Sequence, residues 1–333
     1  MDQAKEDKGT VSVIGGTGYV ASWLIMRLLH HGYKVRTSIR LTHGSKKDVS
    51  YLRNLPCTSE NQLEIFNADM DNPESFNEVI QGSIAVFHVA HPGDFEDKEP
   101  EEIITKRAIN GTLGILKACL RSKTVKRVVY TSSAFTVLYS EKDIDMIDET
   151  NWTNEDYVRT TKPFGASYII SKTLTEKAVI DFGEKYGLDV VTIIPPMING
   201  PFICPRLPGS VYTSLALVFG DVELYKHLVR SPMIHIDDVA SAHIFLLEYP
   251  DANGRYICSS GEVTIDKISE FIRDKYPEYD QVVPTPDSLK EVEMVKYPKL
   301  SSKKLLETGF KFRFGLEEMY DGAIQSCKEK GFL

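Results

Sequence analysis

The first 194 residues alternate between two kinds of hydrophobic pattern. Apolar residues recur at helical spacing in several segments, the longest being Glu99–Arg121 and Phe164–Tyr186. Short runs rich in β-branched or other apolar residues separate these segments. The runs predict strands at Thr10–Ile14, Lys34–Ile39, Leu63–Asn67, Ile84–Val89, Val125–Tyr130 and Asp189–Ile194. This alternation predicts an α/β fold with a doubly wound parallel sheet.

A glycine-rich turn lies between the first strand and the first helix. Gly15-Gly16-Thr17-Gly18 follows Ile14 at once, and helical spacing then continues to His31. Gly15 permits a tight turn, and Gly18 allows backbone N–H groups to approach a pyrophosphate at the helix N-terminus. Ala21 is the third small residue of the pattern. An ordinary turn is the alternative, but the strand before it and the helix after it favour a dinucleotide site.

The end of the second strand indicates which dinucleotide binds. A site for NAD would place Asp or Glu there to bind the ribose hydroxyls. This chain has Arg40, with Lys46 and Lys47 nearby. A cation at this position pairs with a 2′-phosphate, so we expect NADP(H). Asp69, after the third strand, is expected to contact adenine; a helix cap is the alternative.

Two polar motifs are expected at the carboxyl edge of the sheet. Ser132-Ser133 follows the fifth strand, and Tyr168 and Lys172 lie four residues apart on the next long helix. That spacing places the phenol and the ammonium on one helical face, where the ammonium would lower the pKa of the phenol. Tyr168 could then exchange a proton with a carbonyl oxygen that a serine polarises. A surface Tyr–Lys pair is the alternative.

The pattern changes after Ile194. Five prolines fall within 195–208, which predicts a loop, and a helix at Val239–Leu247 and a strand at Gly254–Cys258 follow. We expect an NADP-binding Rossmann domain over 1–194, with a returning segment near 234–258, and a substrate-binding lobe formed by 195–233 and 259–333. The acidic stretch 143–151 is expected to be irregular.

His235-Ile236-Asp237-Asp238 could indicate a metal site. Adjacent carboxylates at a helix start are more often caps, so we expect Asp237 or Asp238 to cap the helix and expect no metal.

Composition narrows the functional classes. The chain of 333 residues is 42% hydrophobic and carries a net charge of −8, without the basic stripe of a nucleic-acid surface. Its five cysteines are scattered and its N-terminal residues are polar, which favours a reducing, cytoplasmic setting. No apolar run has the length of a membrane span. We expect a monomer or a weak dimer that binds a small molecule.

Several motifs together resemble the extended short-chain dehydrogenase/reductase family, and within it the plant dihydroflavonol reductase and vestitone reductase group. The segment Ala21–Leu29 is also similar to noscapine synthase, which oxidises an alkaloid hemiacetal. The motifs are Gly15-Gly16-Thr17-Gly18-Tyr19, Ser22-Trp23-Leu24, Phe66-Asn67-Ala68-Asp69, Val86-Phe87-His88-Val89-Ala90, Lys123-Thr124-Val125-Lys126-Arg127, Thr131-Ser132-Ser133, Tyr168 with Ser171-Lys172-Thr173, Gly200-Pro201-Phe202 and Gly254-Arg255-Tyr256.

The resemblance implies a catalytic set and a cofactor path. Ser133, Tyr168 and Lys172 match the catalytic serine, tyrosine and lysine, and Pro195 and Ser210 match positions near the nicotinamide. The full set of residues expected to bind the cofactor is Gly15, Thr17, Gly18, Tyr19, Val20, Arg40, Lys47, Asp69, Met70, Val89, Ala90, Thr131, Ser132, Tyr168, Lys172, Pro195, Ile198 and Ser210.

The resemblance also implies the reaction, an NADPH-dependent reduction of an aromatic ketone or related carbonyl. An NADP-dependent dehydrogenase of an alkaloid alcohol or hemiacetal is the first alternative. A non-catalytic NADP(H) sensor would need no proton donor, and a nucleotide-sugar epimerase would retain NAD, against which Arg40 argues.

The substrate pocket is expected between the sheet edge and the C-terminal lobe, with a mostly apolar lining that suits a flat polycyclic molecule. Dihydroflavonol reductases usually carry Asn where this chain has Leu138, which argues against dihydroflavonol specificity. The residues expected to contact the substrate are Ala134, Phe135, Leu138, Phe164, Met197, Leu207, Leu224 and Tyr225.

Overall fold

The computed structural model describes residues 7–40, 48–55, 62–92, 99–141, 144–293, 295 and 297–333. The strands are β1 (Thr10–Ile14), β2 (Lys34–Ile39), β3 (Leu63–Asn67), β4 (Ala85–His88), β5 (Arg127–Thr131), β6 (Met146–Ile147), β7 (Val190–Ile194), β8 (Met197–Asn199), β9 (Arg230–His235), β10 (Gly254–Ile257), β11 (Gly261–Thr264) and β12 (Lys299–Leu300). The α-helices are α1 (Tyr19–His30), α2 (Ser50–Arg53), α3 (Phe76–Ile80), α4 (Glu101–Ser122), α5 (Glu155–Thr161), α6 (Ala166–Tyr186), α7 (Gly209–Ser214), α8 (Ala216–Phe219), α9 (Ile236–Glu248), α10 (Ile265–Lys275), α11 (Lys303–Glu307) and α12 (Leu316–Glu329).

The main sheet has seven strands in the order β10-β7-β5-β4-β1-β2-β3. The register of β3, β2, β1, β4, β5 and β7 is parallel throughout. The chain runs outward from β1 to β3 and then returns to β4 on the other side of β1. The predicted doubly wound parallel α/β fold is thereby confirmed. The crevice beyond the carboxyl ends of β1 and β4 is the place where such sheets bind ligands.

Burial explains why the central strands form. Every side chain of β4 and β5 is buried. A strand covered on both faces is typically a short run of mostly apolar residues, which is the pattern of these two segments. Helix α4 packs closely on the loop after β3, because a Cβ on Gly111 would lie 2.7 Å from the Cβ of Met70. Because these strands are parallel, their carboxyl ends, and with them the polar motifs, lie at one edge of the sheet.

Two segments that were expected to lack regular secondary structure contain short strands. Residues 143–151 contain β6, which pairs in parallel with β12. The proline-rich stretch contains β8, which pairs in parallel with β9. Both strands are two or three residues long, and their partners lie far away along the chain. Neither leaves a local hydrophobic pattern.

The start of α9 also differs from the expectation. The Nδ1 atom of His235 accepts the backbone N–H of Asp237 at 3.1 Å, which is a capping contact. The carboxylate of Asp238 instead accepts the backbone N–H groups of Arg313, at 3.1 Å, and Phe314, at 3.3 Å. Asp238 thus anchors a distant loop and does not serve as the predicted cap.

The chain divides into two compact units. The first comprises the described residues of 1–143, 149–194 and 240–256, and the second those of 144–148, 195–239 and 257–333. The first unit contains most of the seven-stranded sheet and helices α1 to α6. The second contains the small sheet β11-β9-β8, in which β11 and β9 are antiparallel.

Candidate active site

The glycine-rich turn between β1 and α1 uses its glycines for different reasons. Gly15 has a φ of +94°, and a Cβ there would lie 2.9 Å from the Cβ of Ala90. A Cβ on Gly16 would clash with the Thr37 hydroxyl on β2. A Cβ on Gly18 would meet only the Gly15 carbonyl oxygen, at 3.4 Å. The turn therefore leaves the N-terminus of α1 approachable, as pyrophosphate binding requires.

The two serines after β5 have different partners. The Ser132 hydroxyl is buried and donates to Oε2 of Glu176 at 2.6 Å. The Ser133 hydroxyl accepts the backbone N–H of Phe135 at 3.3 Å, and its proximity to the phenol of Tyr168 acts to lower the pKa of that phenol. Only the second serine of the pair therefore has its side chain beside the phenol, which supports Ser133 for the catalytic role.

Lys172 lies one turn after Tyr168 on α6 and is buried. Its Nζ atom donates to the carbonyl oxygen of Thr131 at 2.7 Å and lies 5.0 Å from the ring centroid of Tyr130. The Thr131 hydroxyl is in turn hydrogen-bonded to Nε2 of His243 at 2.8 Å. These contacts fix the ammonium against the end of β5, at the edge where the strand ends are expected to meet a cofactor.

Desolvation dominates the ionisation of the pair. It raises the pKa of Tyr168 to about 12, although the Ser133 hydroxyl acts in the opposite direction. Burial also lowers the pKa of Lys172 to about 8, against the attraction of the Glu176 carboxylate. The net pKa of the phenol is therefore raised, and the expected shift toward working pH is not seen in this structure. Tyr168 keeps its proton at neutral pH, which suits a proton donor.

The sequence analysis missed Glu176, one turn beyond Lys172 on α6. This carboxylate is completely buried, and it accepts the hydroxyls of Ser132 and Thr192 as well as two donors of Arg255. The spacing Tyr168-x₃-Lys172-x₃-Glu176 is a signal in the sequence that places all three side chains on one helical face.

Arg255, on β10, completes the network around Glu176. Its Nε atom donates to Oε1 of Glu176 at 3.1 Å, and its Nη1 atom donates to the carbonyl oxygens of Glu149 and Asn151. The guanidinium carbon lies 3.5 Å from the ring centroid of Trp152. A buried carboxylate is thus fully paired. No local pattern in the sequence marks Arg255 as its partner.

Two aromatic rings contact Tyr168 edge to face. The His91 ring lies at 5.3 Å and the Phe135 ring at 6.3 Å, both measured between centroids. Phe135 belongs to the predicted substrate-contacting set, whereas His91 does not. Among the other first-unit members of that set, Ala134 and Leu138 are buried and Phe164 is exposed.

The remaining cofactor residues of the first unit lie at or just beyond strand ends. Arg40 directly follows β2 and is exposed, whereas Lys47 lies outside the described residues. Asp69 and Met70 follow β3, and the Asp69 carboxylate accepts the backbone N–H of Asp71 at 3.1 Å. Val89 and Ala90 follow β4, Thr131 ends β5, and Tyr19 and Val20 begin α1. Thr17 lies within the glycine turn. The cofactor contacts themselves stay predictions.

The other predicted residues belong to the second unit. Met197 and Ile198 lie on β8, two and three residues after Pro195, and Ser210 lies in α7. Leu207 precedes α7, and Leu224 and the buried Tyr225 lie in the 3₁₀ turn Val222–His227. Their roles stay predictions too.

Residues 11–258 match the NAD dependent epimerase/dehydratase family. The chain belongs to this family. It is 52% identical to vestitone reductase of Medicago sativa over 98% of this chain and 99% of that protein. It is 47% identical to noscapine synthase SDR1 of Papaver somniferum, over 99% and 96%, and 45% identical to a dihydroflavonol 4-reductase of Callistephus chinensis, over 99% and 89%.

A solved structure agrees with these relatives. The crystal structure of vestitone reductase from alfalfa superposes with a TM-score of 0.89 at 50% identity, over 98% of this chain and all of that one. The resemblance to the extended short-chain dehydrogenase/reductase family and its plant reductase group is confirmed. The prediction of a nicotinamide-dependent oxidoreductase is confirmed as well. In the described part of the chain, no helix is both long and apolar enough to cross a membrane.

Proposed function

We propose that the protein is an NADPH-dependent reductase of a carbonyl group on a polycyclic plant specialised metabolite, of the flavonoid or isoflavonoid ketone type. The observation that carries the proposal is the Ser133 side chain beside a protonated Tyr168, one helical turn from Lys172. The names of the relatives, vestitone reductase and dihydroflavonol 4-reductase, support the substrate class.

The side chains divide the proton chemistry between them. NADPH, when bound, supplies a hydride to the carbonyl carbon. Tyr168 donates its hydroxyl proton to the carbonyl oxygen, since its pKa of about 12 keeps it protonated until the oxygen becomes basic. The Ser133 hydroxyl, which lies beside the phenol, stabilises charge on the same oxygen. The Lys172 ammonium stabilises the phenolate that Tyr168 leaves behind.

The choice of NADPH over NADH rests on the end of β2. Arg40 is exposed there, and no acidic residue occupies the position that would bind the ribose hydroxyls in an NAD site. A guanidinium pairs well with a 2′-phosphate. We further expect the protein to act in the cytoplasm, as a monomer or a weak dimer.

A second candidate is an NADP-dependent dehydrogenase of an alkaloid alcohol or hemiacetal. Noscapine synthase SDR1 favours it, at 47% identity over nearly the whole of both chains. The same residues serve in reverse, with the phenolate of Tyr168 as the base. A non-catalytic NADP(H) sensor is less consistent with the chain, because its site would not need the phenol and ammonium in this arrangement.

The test is turnover by the purified protein. NADPH consumption would be followed with an isoflavanone-type ketone and with a dihydroflavonol, and NADP⁺ reduction with an alkaloid lactol. Reduction of a ketone that is lost in Tyr168→Phe supports the proposal. Oxidation of the lactol without ketone reduction would establish the second candidate. Tight NADPH binding with no turnover in either direction would indicate a sensor.

A further inference from the structure

His91 occupies a particular place next to the proton donor. It lies in the loop that leaves β4, directly after Ala90, the residue that touches Gly15 of the glycine turn. The planes of its ring and the Tyr168 ring meet at 86° with the centroids 5.3 Å apart. The imidazole is therefore in van der Waals contact with the ring that carries the proton to be donated.

The ring nitrogens of His91 are withdrawn from solvent, and neither has a hydrogen-bond partner among the described residues. Other buried histidines of the same unit differ. His88 is bonded through Nε2 to the Thr112 hydroxyl at 3.0 Å, and His243 is bonded to Thr131. Because an unpaired polar group away from water costs free energy, most such groups in proteins have a partner. A fully unpaired imidazole beside a catalytic phenol indicates that its partner is a bound molecule.

The charge state of His91 limits what that partner is. Burial lowers the pKa of His91 well below its usual range, and the nearby Lys172 ammonium acts in the same direction. The ring is neutral, so it offers one N–H donor and one acceptor nitrogen. A hydroxyl group can use both, and a carbonyl oxygen can use the donor.

The other first-unit residues predicted to contact the substrate have few polar side chains. The first-unit residues predicted to contact the substrate are Ala134, Phe135, Leu138 and Phe164, whose side chains form no hydrogen bonds of this kind. Under the proposed function, Ser133 and Tyr168 both serve the reacting oxygen. A second oxygen on the substrate, next to the reacting carbonyl, would still need a partner.

We propose that His91 is a specificity-determining residue that hydrogen-bonds an oxygen substituent adjacent to the carbonyl that Tyr168 protonates. This inference rests on the proposed reductase function. Since the two rings are in contact, a substrate oxygen bonded to Tyr168 brings a neighbouring substituent within reach of the imidazole. The bond would favour ketones that carry this substituent over ketones that lack it.

The test compares a flavanone with the dihydroflavonol of the same ring pattern, which adds only a hydroxyl beside the carbonyl. His91→Phe keeps an aromatic ring against Tyr168 and removes both nitrogens. It should lower the kcat/KM ratio of dihydroflavonol to flavanone by roughly tenfold, as expected for one hydrogen bond to a neutral group. His91→Gln, which restores a donor and an acceptor, should recover much of the ratio. The dissociation constant for NADPH should not change in either variant.

Other outcomes overturn the inference. An equal fall in kcat/KM for both ketones would assign His91 a packing role alone. A weakened affinity for NADPH with an unchanged substrate ratio would assign its bond to the cofactor. Melting temperatures show whether His91→Phe has lost its fold. If it has, the kcat/KM ratio of His91→Gln decides whether His91 selects the substrate. If the unmutated protein reduces neither ketone, the proposed function itself fails; if it reduces both and the ratio is unchanged in His91→Phe, only the role of His91 is disproved.

Discussion

Glu176 and Arg255 form a buried ion pair with two contacts, 3.1 Å from Nε to Oε1 and 3.3 Å from Nη2 to Oε2. The pair joins α6, which carries Tyr168 and Lys172, to the edge strand β10. Through Ser132 the same carboxylate holds the residue before Ser133. We infer that the pair positions the catalytic helix against the end of β5, while touching none of the reacting atoms.

Removing the charge of Glu176 should destabilise the fold strongly. Glu176→Gln leaves the Arg255 guanidinium buried without its counter-charge, which typically costs about 3 kcal/mol or more. The free energy of unfolding from a denaturant titration measures the effect. Glu155→Gln is the matched control, because its ion pair with Lys177 is partly exposed and should contribute less than about 1 kcal/mol. Similar losses in the two variants would contradict the positioning role.

Tyr168→Phe should abolish most of the turnover and leave cofactor binding intact. The change removes only the hydroxyl that donates the proton, so kcat should fall by roughly two orders of magnitude or more. Tyr186→Phe, at the other end of the same helix, is the control, since that side chain is half exposed. Near-normal kcat in Tyr168→Phe would mean that another group is the acid.

Reductase activity should decline above about pH 8. Lys172, with its pKa lowered to about 8, carries its charge below that pH and loses it above. If the ammonium assists Tyr168, kcat/KM for reduction is highest below this value and then falls roughly tenfold per pH unit. Lys172→Arg keeps its charge and should remove the decline at whatever activity it retains. A flat profile in the unmutated protein would refute the assignment.

The lowered pKa of Lys172 makes stability rise with pH in the range where activity is expected to fall. Between pH 8 and the usual lysine value of 10.5, the unfolded chain binds the Lys172 proton and the folded chain does not. The contribution of Lys172 to the free energy of unfolding therefore rises with pH across that window. Comparing unfolding of the unmutated protein and Lys172→Met as a function of pH measures this contribution.

Arg40 should set the cofactor preference. Arg40→Asp replaces the cation expected to pair with the 2′-phosphate by a group that repels it. The kcat/KM ratio of NADPH to NADH should fall by roughly ten- to a hundredfold, corresponding to about 1.5–3 kcal/mol. Lys117→Asp changes net charge equally at an exposed position of α4 and controls for long-range electrostatics. Equal kcat/KM for the two cofactors in the unmutated protein would show that Arg40 does not select.

Leu138 should disfavour substrates with many ring hydroxyls. Its buried side chain offers no hydrogen bond to a hydroxyl placed against it. Leu138→Asn should shift the kcat/KM ratio toward dihydroquercetin and away from a methoxylated isoflavanone, and Leu138→Met should leave the ratio unchanged. A clear preference of the unmutated protein for dihydroquercetin would show that this interpretation of Leu138 is wrong.

The sequence by itself determined the fold class and the position of the candidate site. The bounds of β1, β2 and β3 agree with the strands predicted from their β-branched and apolar runs. The glycine-rich turn and the Tyr168–Lys172 spacing are equally local, since each depends on residues only a few positions apart. From these features the fold, the edge of the sheet and the enzyme family could be predicted.

Only the tertiary structure decided how the site is held and charged. Strand β6 exists because β12 pairs with it, and Glu176 is paired because β10 brings Arg255 to α6. Ser132 and Ser133 are identical neighbours in the sequence. The packing of α6 places Ser132 against Glu176 and Ser133 beside Tyr168. The pKa of Tyr168 rises for the same reason. Contacts between distant segments, and the loss of water that accompanies them, depend on how the whole unit packs and not on the spacing of residues along the chain.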